Sequence, residues 1–335
     1  MREATANSEK LQARDRVRGC LLGLAVGDAY GAPIEFLRRG EILARFGVDG
    51  PRDLEPWAGH PGGSISDDTQ MSIATARGLL DWRTTSGWLP GEAVDHEALA
   101  EAIWRRYLEW FHSDEWQGRA PGDTCMAALR SGFPVDGGGC GGVMRVAPLG
   151  CSGLGRAAFE AGARAAALTH RYATSDAASG FQAALIDRLI TGDDLTVAVS
   201  IAHEALVACP ESDEALEAVD TAMGLAGDES VETYEALGRI GHAGLETAQG
   251  SGKGWVAEEA LGIGLLCALR YANDFARALC AAALISGDSD STASIAGAVL
   301  GAAGGLQVIP TRWRYKVERR GELLDLADEL SRATV

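Results

Sequence analysis

This chain is short of cations: 30 Lys and Arg stand against 47 Asp and Glu, for a formal charge of −17. Such a surface repels phosphate backbones and anionic lipid, which argues against nucleic-acid and membrane-surface partners. Aromatic residues are only 6% of the chain, and no segment alternates apolar and polar residues at the period of a strand. With β-branched and aromatic enrichment missing, sheets are disfavoured. The seven cysteines (Cys20, Cys125, Cys140, Cys151, Cys209, Cys267 and Cys280) are odd in number and include no C-x-x-C. This disfavours both a disulfide framework and a zinc site, and reads as core thiols in a reducing compartment. Residues 1–10 carry no apolar signal region, and the apolar stretch from Cys20 to Ala32 is too short to span a bilayer and contains Asp28. A cytoplasmic protein is expected. No Gly-Lys-Ser/Thr marks a P-loop, and no Ser-His-Asp order or Cys-His pair marks a nucleophile.

What the chain does have is apolar residues at 47% and 43 glycines, enough for a large core of closely packed helices. Helical periodicity predicts helices over about 9–30, 67–81, 96–112, 122–131, 155–169, 174–191, 194–208, 212–225, 230–238, 256–270, 273–285, 289–306 and 319–332. Loops are expected at 47–64, 83–94, 113–121, 132–148 and 247–254. The expected architecture is all-α: one compact orthogonal helical bundle over residues 15–335 behind an N-terminal extension, 1–14. Two helices carry glycine ridges. Gly19, Gly23, Gly27 and Gly31 recur every fourth residue, as do Ala293, Gly297, Gly301 and Gly305. Each helix-interior glycine costs about 1 kcal/mol against alanine, so both rows imply close backbone approach at the bundle centre.

Two acidic runs flank those ridges: Ser66-Asp67-Asp68-Thr69 and Gly287-Asp288-Ser289-Asp290-Ser291-Thr292. Ser, Asp and Thr favour helix N-caps, and one such run alone is explained by capping. A cap needs one oxygen, however, and each run stacks two acids in one turn. Carboxylates beside hydroxyls are the donor set of hard divalent cations. If the ridges bring the runs together, four carboxylates converge and a two-metal cluster follows.

Other segments leave alternatives open. Asp136 leads into Gly137-Gly138-Gly139-Cys140-Gly141-Gly142-Val143-Met144-Arg145, either a flexible linker or an anion nest of backbone N–H groups, through positive φ and close approach. Thr169-His170 ends one helix just before another begins, and His170 is either a structural histidine or part of a site. Asp123 reads as an N-cap. Gly252-Lys253-Gly254-Trp255 opens a helix, Trp255 being suited to stacking on a base or ribose and Glu258 and Glu259 to solvent-facing first-turn positions. Trp82, Trp88, Trp104, Trp110 and Trp116 read as packing and loop anchors.

Taken together, the segment from Gly23 to Phe36 (with Gly27-Asp28, Gly31 and Glu35), Ser66-Asp67-Asp68-Thr69, Val143-Met144-Arg145, Thr169-His170 and Asp288-Ser289-Asp290-Ser291-Thr292 resembles the ADP-ribosylglycohydrolases. The motifs run in order from about residue 16 to 306. The resemblance implies an all-α fold, two Mg²⁺ ions with Mn²⁺ as the other candidate, and cleavage of the bond between ADP-ribose and an acceptor side chain. By the family pattern Ser66, Asp67, Asp68, Asp288, Asp290 and Ser291 are metal ligands, and Glu35 is a nearby acid. Asp68 and Glu35 are both candidates to orient or deprotonate the water, with Asp67 beside them. Gly139, Cys140, Gly141, Gly142, Val143 and Met144 are substrate-binding candidates, with the diphosphate over Gly139–Gly142 and the adenosine toward His170 or Trp255. The Asp-Ser-Asp-Ser-Thr form is closer to arginine-specific members. Where the family often has Asn-Gly or Ser-Gly before the Met/Leu-Arg, this chain has Cys140-Gly141-Gly142-Val143.

The expected partners are ADP-ribose and ADP-ribosylated proteins. Two rivals remain: a non-catalytic ADP-ribose binder or structural protein on this fold, and an immunity protein whose residues 1–14 contact an ADP-ribosyltransferase toxin.

Overall fold

The computed structural model describes residues 2–241 and 253–332. Along the chain it forms α1 (Arg2–Gly31), α2 (Arg39–Phe46), α3 (Asp67–Ser86), α4 (His96–His112), α5 (Asp123–Ser131), α6 (Ala147–Gly150), α7 (Ala158–Ala167) and α8 (Ala173–Thr191). There follow α9 (Leu195–Val207), α10 (Asp213–Ala226), α11 (Thr233–Gly238), α12 (Ala257–Arg270), α13 (Phe275–Ala283), α14 (Ser289–Gly304), α15 (Thr311–Lys316) and α16 (Arg320–Ser331). No strand occurs among the described residues; the only β pairings there are isolated bridges.

The glycine ridges meet face to face. A Cβ on Gly23 would overlap the carbonyl of Gly297, and one on Gly301 would overlap the carbonyl of Gly19. The same holds at Gly27 against Ala293 and Gly31 against Ser289. Only hydrogen side chains let the two backbones touch, and α1 and α14 form the buried centre of the bundle. The α1 end of this seam carries Asp28 and leads to Glu35, while the α14 end begins at Asp290. α3 packs alongside, its start fixed by Ser66, whose Oγ accepts from the Asp68 N–H at 3.2 Å, and its end by Gly87 at φ +67.

Several expectations are corrected. Residues 2–14 are continuous with α1, and Arg14 and Arg18 both bind the Asp328 carboxylate on α16. α2, α6 and α15 fall where loops or nothing had been expected, being short helices whose formation depends on tertiary contacts more than on periodicity. α3 runs on to Ser86, into the loop expected at 83–94. The N-cap of α5 is Gly122, with Asp123 as its first helical residue. All seven cysteines are free, but Cys140, Cys209 and Cys280 are only partly buried. The tryptophans do anchor: Trp82 and Trp88 pack at 5.4 Å, and the Trp110 indole N–H donates to Gln70 Oε1 at 2.9 Å. Most of the 247–254 loop, Gly252 included, lies outside the described residues. Among those residues no helix is long and apolar enough to cross a membrane.

Candidate active site

The two acidic turns converge at one end of the α1–α14 seam. Asp28, Asp67, Asp68, Asp288 and Asp290 are all at most 4% exposed. Glu35, Asp288 and Asp290 bring carboxylate oxygens within 4.8 Å of one another. Ser291 bridges the two turns, its Oγ donating to Asp68 Oδ2 at 2.9 Å. Six carboxylates from α1 and the turn after it, the start of α3 and the start of α14 therefore share one region, two more than the acidic runs alone supply.

Capping and clustering coexist here. Asp288 caps α14 by accepting from the Ser291 N–H at 3.1 Å, and Ser66 caps α3. Asp28, at the end of the first glycine ridge, is the anchor of the α3 turn. It accepts from the Ser66 N–H at 3.0 Å, the Thr69 N–H at 3.2 Å, and the Thr69 hydroxyl. The α14 turn is held by backbone instead. Lys253 N donates to Ser286 O at 2.7 Å, and Asp288 N donates to Lys253 O at 2.9 Å. Lys253 itself is fully buried beside Glu259, at 3.5 Å. Glu258 and Glu259, expected to face solvent, are 8% and 3% exposed; Glu259 accepts from the Gly254 N–H at 3.2 Å. They support the loop from inside.

The electrostatics are one-sided. Burial, and next the charges of Asp290 and Asp288, push the Glu35 carboxyl up to about 12. Burial drives Asp68 well above the usual carboxylate range, with Asp290 and Asp67 adding to the rise. Asp67 and Asp288 rise for the same leading reason. Asp290 is raised to about 7, and Asp28 to about 6, where its hydrogen bonds oppose burial. No Lys or Arg among the described residues is ion-paired to any of the six. Such a concentration of like charge stays ionised only if cations enter. The donors are hard oxygens on Asp67, Asp68, Asp288 and Asp290 with the Ser66 and Ser291 hydroxyls beside them, a set that fits Mg²⁺ or Mn²⁺.

The glycine loop borders this cluster through Cys140, whose thiol donates to Asp288 Oδ2 at 2.8 Å. Cys140 N–H donates to Trp255 O at 3.0 Å, and Ala257 N–H to Gly138 O at 2.9 Å, so the loop lies along the start of α12. None of its glycines takes a positive φ; close approach alone explains them. A Cβ on Gly141 would lie 2.6 Å from Cys125 Sγ and 3.1 Å from the His170 ring, and one on Gly142 2.7 Å from Ser175 Oγ. Val143 and Met144 are buried at the end of the loop.

His170 lies beneath the loop, 1% exposed. Its Nδ1 pairs with Thr169 Oγ1 at 2.8 Å, and burial, with the neighbouring Arg145 charge, lowers its pKa to about 3. It is a neutral imidazole. Arg145 is fully buried, lies 4.4 Å over the Tyr107 ring, and donates to Thr169 Oγ1 at 2.6 Å. Trp255 is half-buried and stacks on Phe36 at 5.3 Å, next to Glu35. Phe36 itself is 66% exposed and at φ +64, a conformation a bulky residue seldom adopts. Nothing in the sequence around Phe36 signalled this pairing.

With that geometry described, comparison with known proteins becomes decisive: the ADP-ribosylglycohydrolase family model matches residues 9–335. The chain belongs to the ADP-ribosylglycohydrolase family. It is 27% identical to the ADP-ribosyl-[dinitrogen reductase] glycohydrolase of Rhodospirillum rubrum, over 92% of each chain. It is 26% identical to the ADP-ribosylarginine hydrolase Tri1 of Pseudomonas putida (strain GB-1), covering 95% of this chain and 78% of that one. It is also 27% identical to the ADP-ribosylhydrolase ARH3 of Bos taurus, over 95% of this chain and 92% of the relative. A solved structure described as an ADP-ribosylglycohydrolase-related protein complex superposes with a TM-score of 0.64 at 26% identity, over 97% of this chain and 99% of that one. As a member of the family the chain shares its all-α fold, and membership supports hydrolysis of ADP-ribosyl bonds.

Proposed function

We propose that this protein removes mono-ADP-ribose from protein side chains, with arginine as the acceptor, at a two-cation site built on the acidic cluster. The observation that carries this reading is the meeting of Asp67 and Asp68 with Asp288 and Asp290, chain-distant and buried, with no cation among the described residues paired to them. Asp67, Asp68, Asp288 and Asp290, with Ser66 and Ser291, would hold the ions, Mg²⁺ first and Mn²⁺ second. Bound there, divalent cations supply charge neutralisation and Lewis acidity next to the bond that breaks.

The chain's own groups do the rest. Asp28 and the Lys253 backbone hold the two acidic turns in register. Asp68 or Glu35 orients the attacking water and takes its proton. The segment Gly139–Val143, with Met144 behind it, accepts the diphosphate. Trp255, stacked with Phe36, offers a face for the adenosine, and neutral His170 supports the loop from below. Similarity to an ADP-ribosylarginine hydrolase and the Asp-Ser-Asp-Ser-Thr form of the second acidic turn favour arginine, whose guanidinium leaving group suits acidic surroundings.

The test uses purified protein on two substrates, one ADP-ribosylated at arginine and one at serine, each with Mg²⁺ and with EDTA. Mg²⁺-dependent release of ADP-ribose, faster from arginine, is expected. Serine substrates cleaved as fast or faster would overturn the acceptor assignment; no release from either would overturn the hydrolase reading.

A further inference from the structure

A cavity of about 980 Å³ lies between α11, α13, the end of α12 and the chain after α2. None of the six clustered carboxylates lines it. Its volume is that of a small-molecule site, and its wall concentrates arginines in a chain of net charge −17. Arg39 lies 3.9 Å above the Tyr234 ring, Arg277 4.5 Å above Tyr271, and Arg312 5.5 Å from Trp313. Arg52 lines the same wall.

An aromatic ring grips a guanidinium by its flat face and leaves the N–H edge free for an acceptor lying in the plane. Arginines held by carboxylates have spent that edge; here only Arg312 uses part of its own, donating Nη2 to the Arg52 carbonyl at 2.5 Å. None of the four is ion-paired to a carboxylate among the described residues, and Arg39 Nε is buried without a hydrogen-bond partner. By contrast Arg270, also on the wall, uses its N–H groups on the carbonyls of Leu225, Asp228 and Val231. Two of the wall's acids are likewise occupied as helix caps. Glu232 accepts from the Tyr234 N–H at 2.9 Å, and Asp274 from the Arg277 N–H at 3.1 Å. That leaves Asp49 and Glu229 facing four guanidinium groups with donors to spare.

We propose that this cavity is a second ligand site, for a nucleoside diphosphate. Paired phosphates are the acceptor that several guanidinium edges match best. A bare diphosphate would fill little of the volume, whereas a nucleoside occupies it and sets its base against the apolar part of the wall, with Asp49 and Glu229 as acceptors for ribose hydroxyls. The same chemistry could come from a free nucleotide or from the ADP part of a larger molecule. The site goes beyond the hydrolase reading and does not depend on it.

The experiment is calorimetric titration of the full chain in EDTA with ADP, with ADP-ribose and with pyrophosphate. Beside ADP bound at the glycine loop, a second ADP site is expected, retained in Asp68→Asn and weakened at least about tenfold in the double variant Arg52→Ala/Arg277→Ala, both exposed positions. A melting temperature of the double variant equal to that of wild type shows the loss to be local. ADP-ribose tighter than ADP in Asp68→Asn supports the larger molecule as the source; weaker binding supports free nucleotide. A single ADP site, or ADP binding left unchanged by the arginine double variant, would overturn the site. Pyrophosphate as tight as ADP would overturn the nucleoside part.

Discussion

The two acidic turns at the centre of this protein look alike in sequence but are held in opposite ways. The α3 turn is gripped by side chains: the Asp28 carboxylate takes two backbone N–H groups and a hydroxyl, and pays for them with its own burial. The α14 turn is gripped by backbone, through Lys253 on Ser286 and Asp288. One half of the cluster thus depends on a charge, the other on a loop path. Both depend on a seam where α1 and α14 touch through glycine.

The largest effect should come from that seam, where the halves share support. Gly23→Val would drive a side chain into the Gly297 carbonyl, and we expect a loss of at least about 4 kcal/mol or failure to fold, read by denaturant melts. A soluble variant of wild-type stability would show the backbone contact to be looser than described. Next in size, Asp290→Asn should cut hydrolysis at least about 100-fold while the helical circular-dichroism signal stays unchanged. Retained turnover would remove Asp290 from the site.

Asp28→Asn separates the halves. It keeps a hydrogen-bonding oxygen but loses the charge, and should weaken divalent-cation affinity by about 10- to 100-fold, the range for groups that orient ligands. An unchanged affinity would mean that the α3 turn holds itself.

A smaller effect is written in the acid–base balance. Asp28 and Asp290 sit at about 6 and about 7, above the value near 4 of an unfolded carboxyl. The native chain therefore binds more protons than the unfolded one, and without metal its stability falls as pH rises from about 4 to about 7. Divalent cations replace those protons. The rise in melting temperature on adding Mg²⁺ should be greater at pH 8 than at pH 5, by on the order of 5 °C. Equal rises at both pH values would contradict the site.

How much of this was legible beforehand follows from which contacts are periodic. The Gly19–Gly31 and Ala293–Gly305 rows announce a close helix pair because their spacing repeats. The paired acids announce a cluster because capping explains only one oxygen each. The grip of Asp28 on the α3 turn gave no such sign: its partners are 38 and 41 residues away, and a single Asp in a helix has no pattern. Glu258 and Glu259 misled because first-turn acids usually face water, whereas here Glu259 is buried with Lys253. The loop glycines leave a flexible linker and an anion nest open and offer positive φ or close approach as their reason; the structure shows close approach, an ordinary backbone crowded by Cys125, His170 and Ser175. The crowding partners come from three other segments, so the sequence suggests close approach without saying to what. The Arg-lined wall of the second cavity is likewise an assembly of single residues from distant helices.

One measurement bears on both acidic turns at once: counting Mn²⁺ ions bound per chain by electron paramagnetic resonance, in the wild type, in Asp68→Asn and in Asp290→Asn. About two ions are expected in the wild type, as in a two-metal hydrolytic site, with binding lost or sharply weakened by either substitution, because the turns act as one unit. Full Mn²⁺ binding in both variants, or none in the wild type, would contradict that unity.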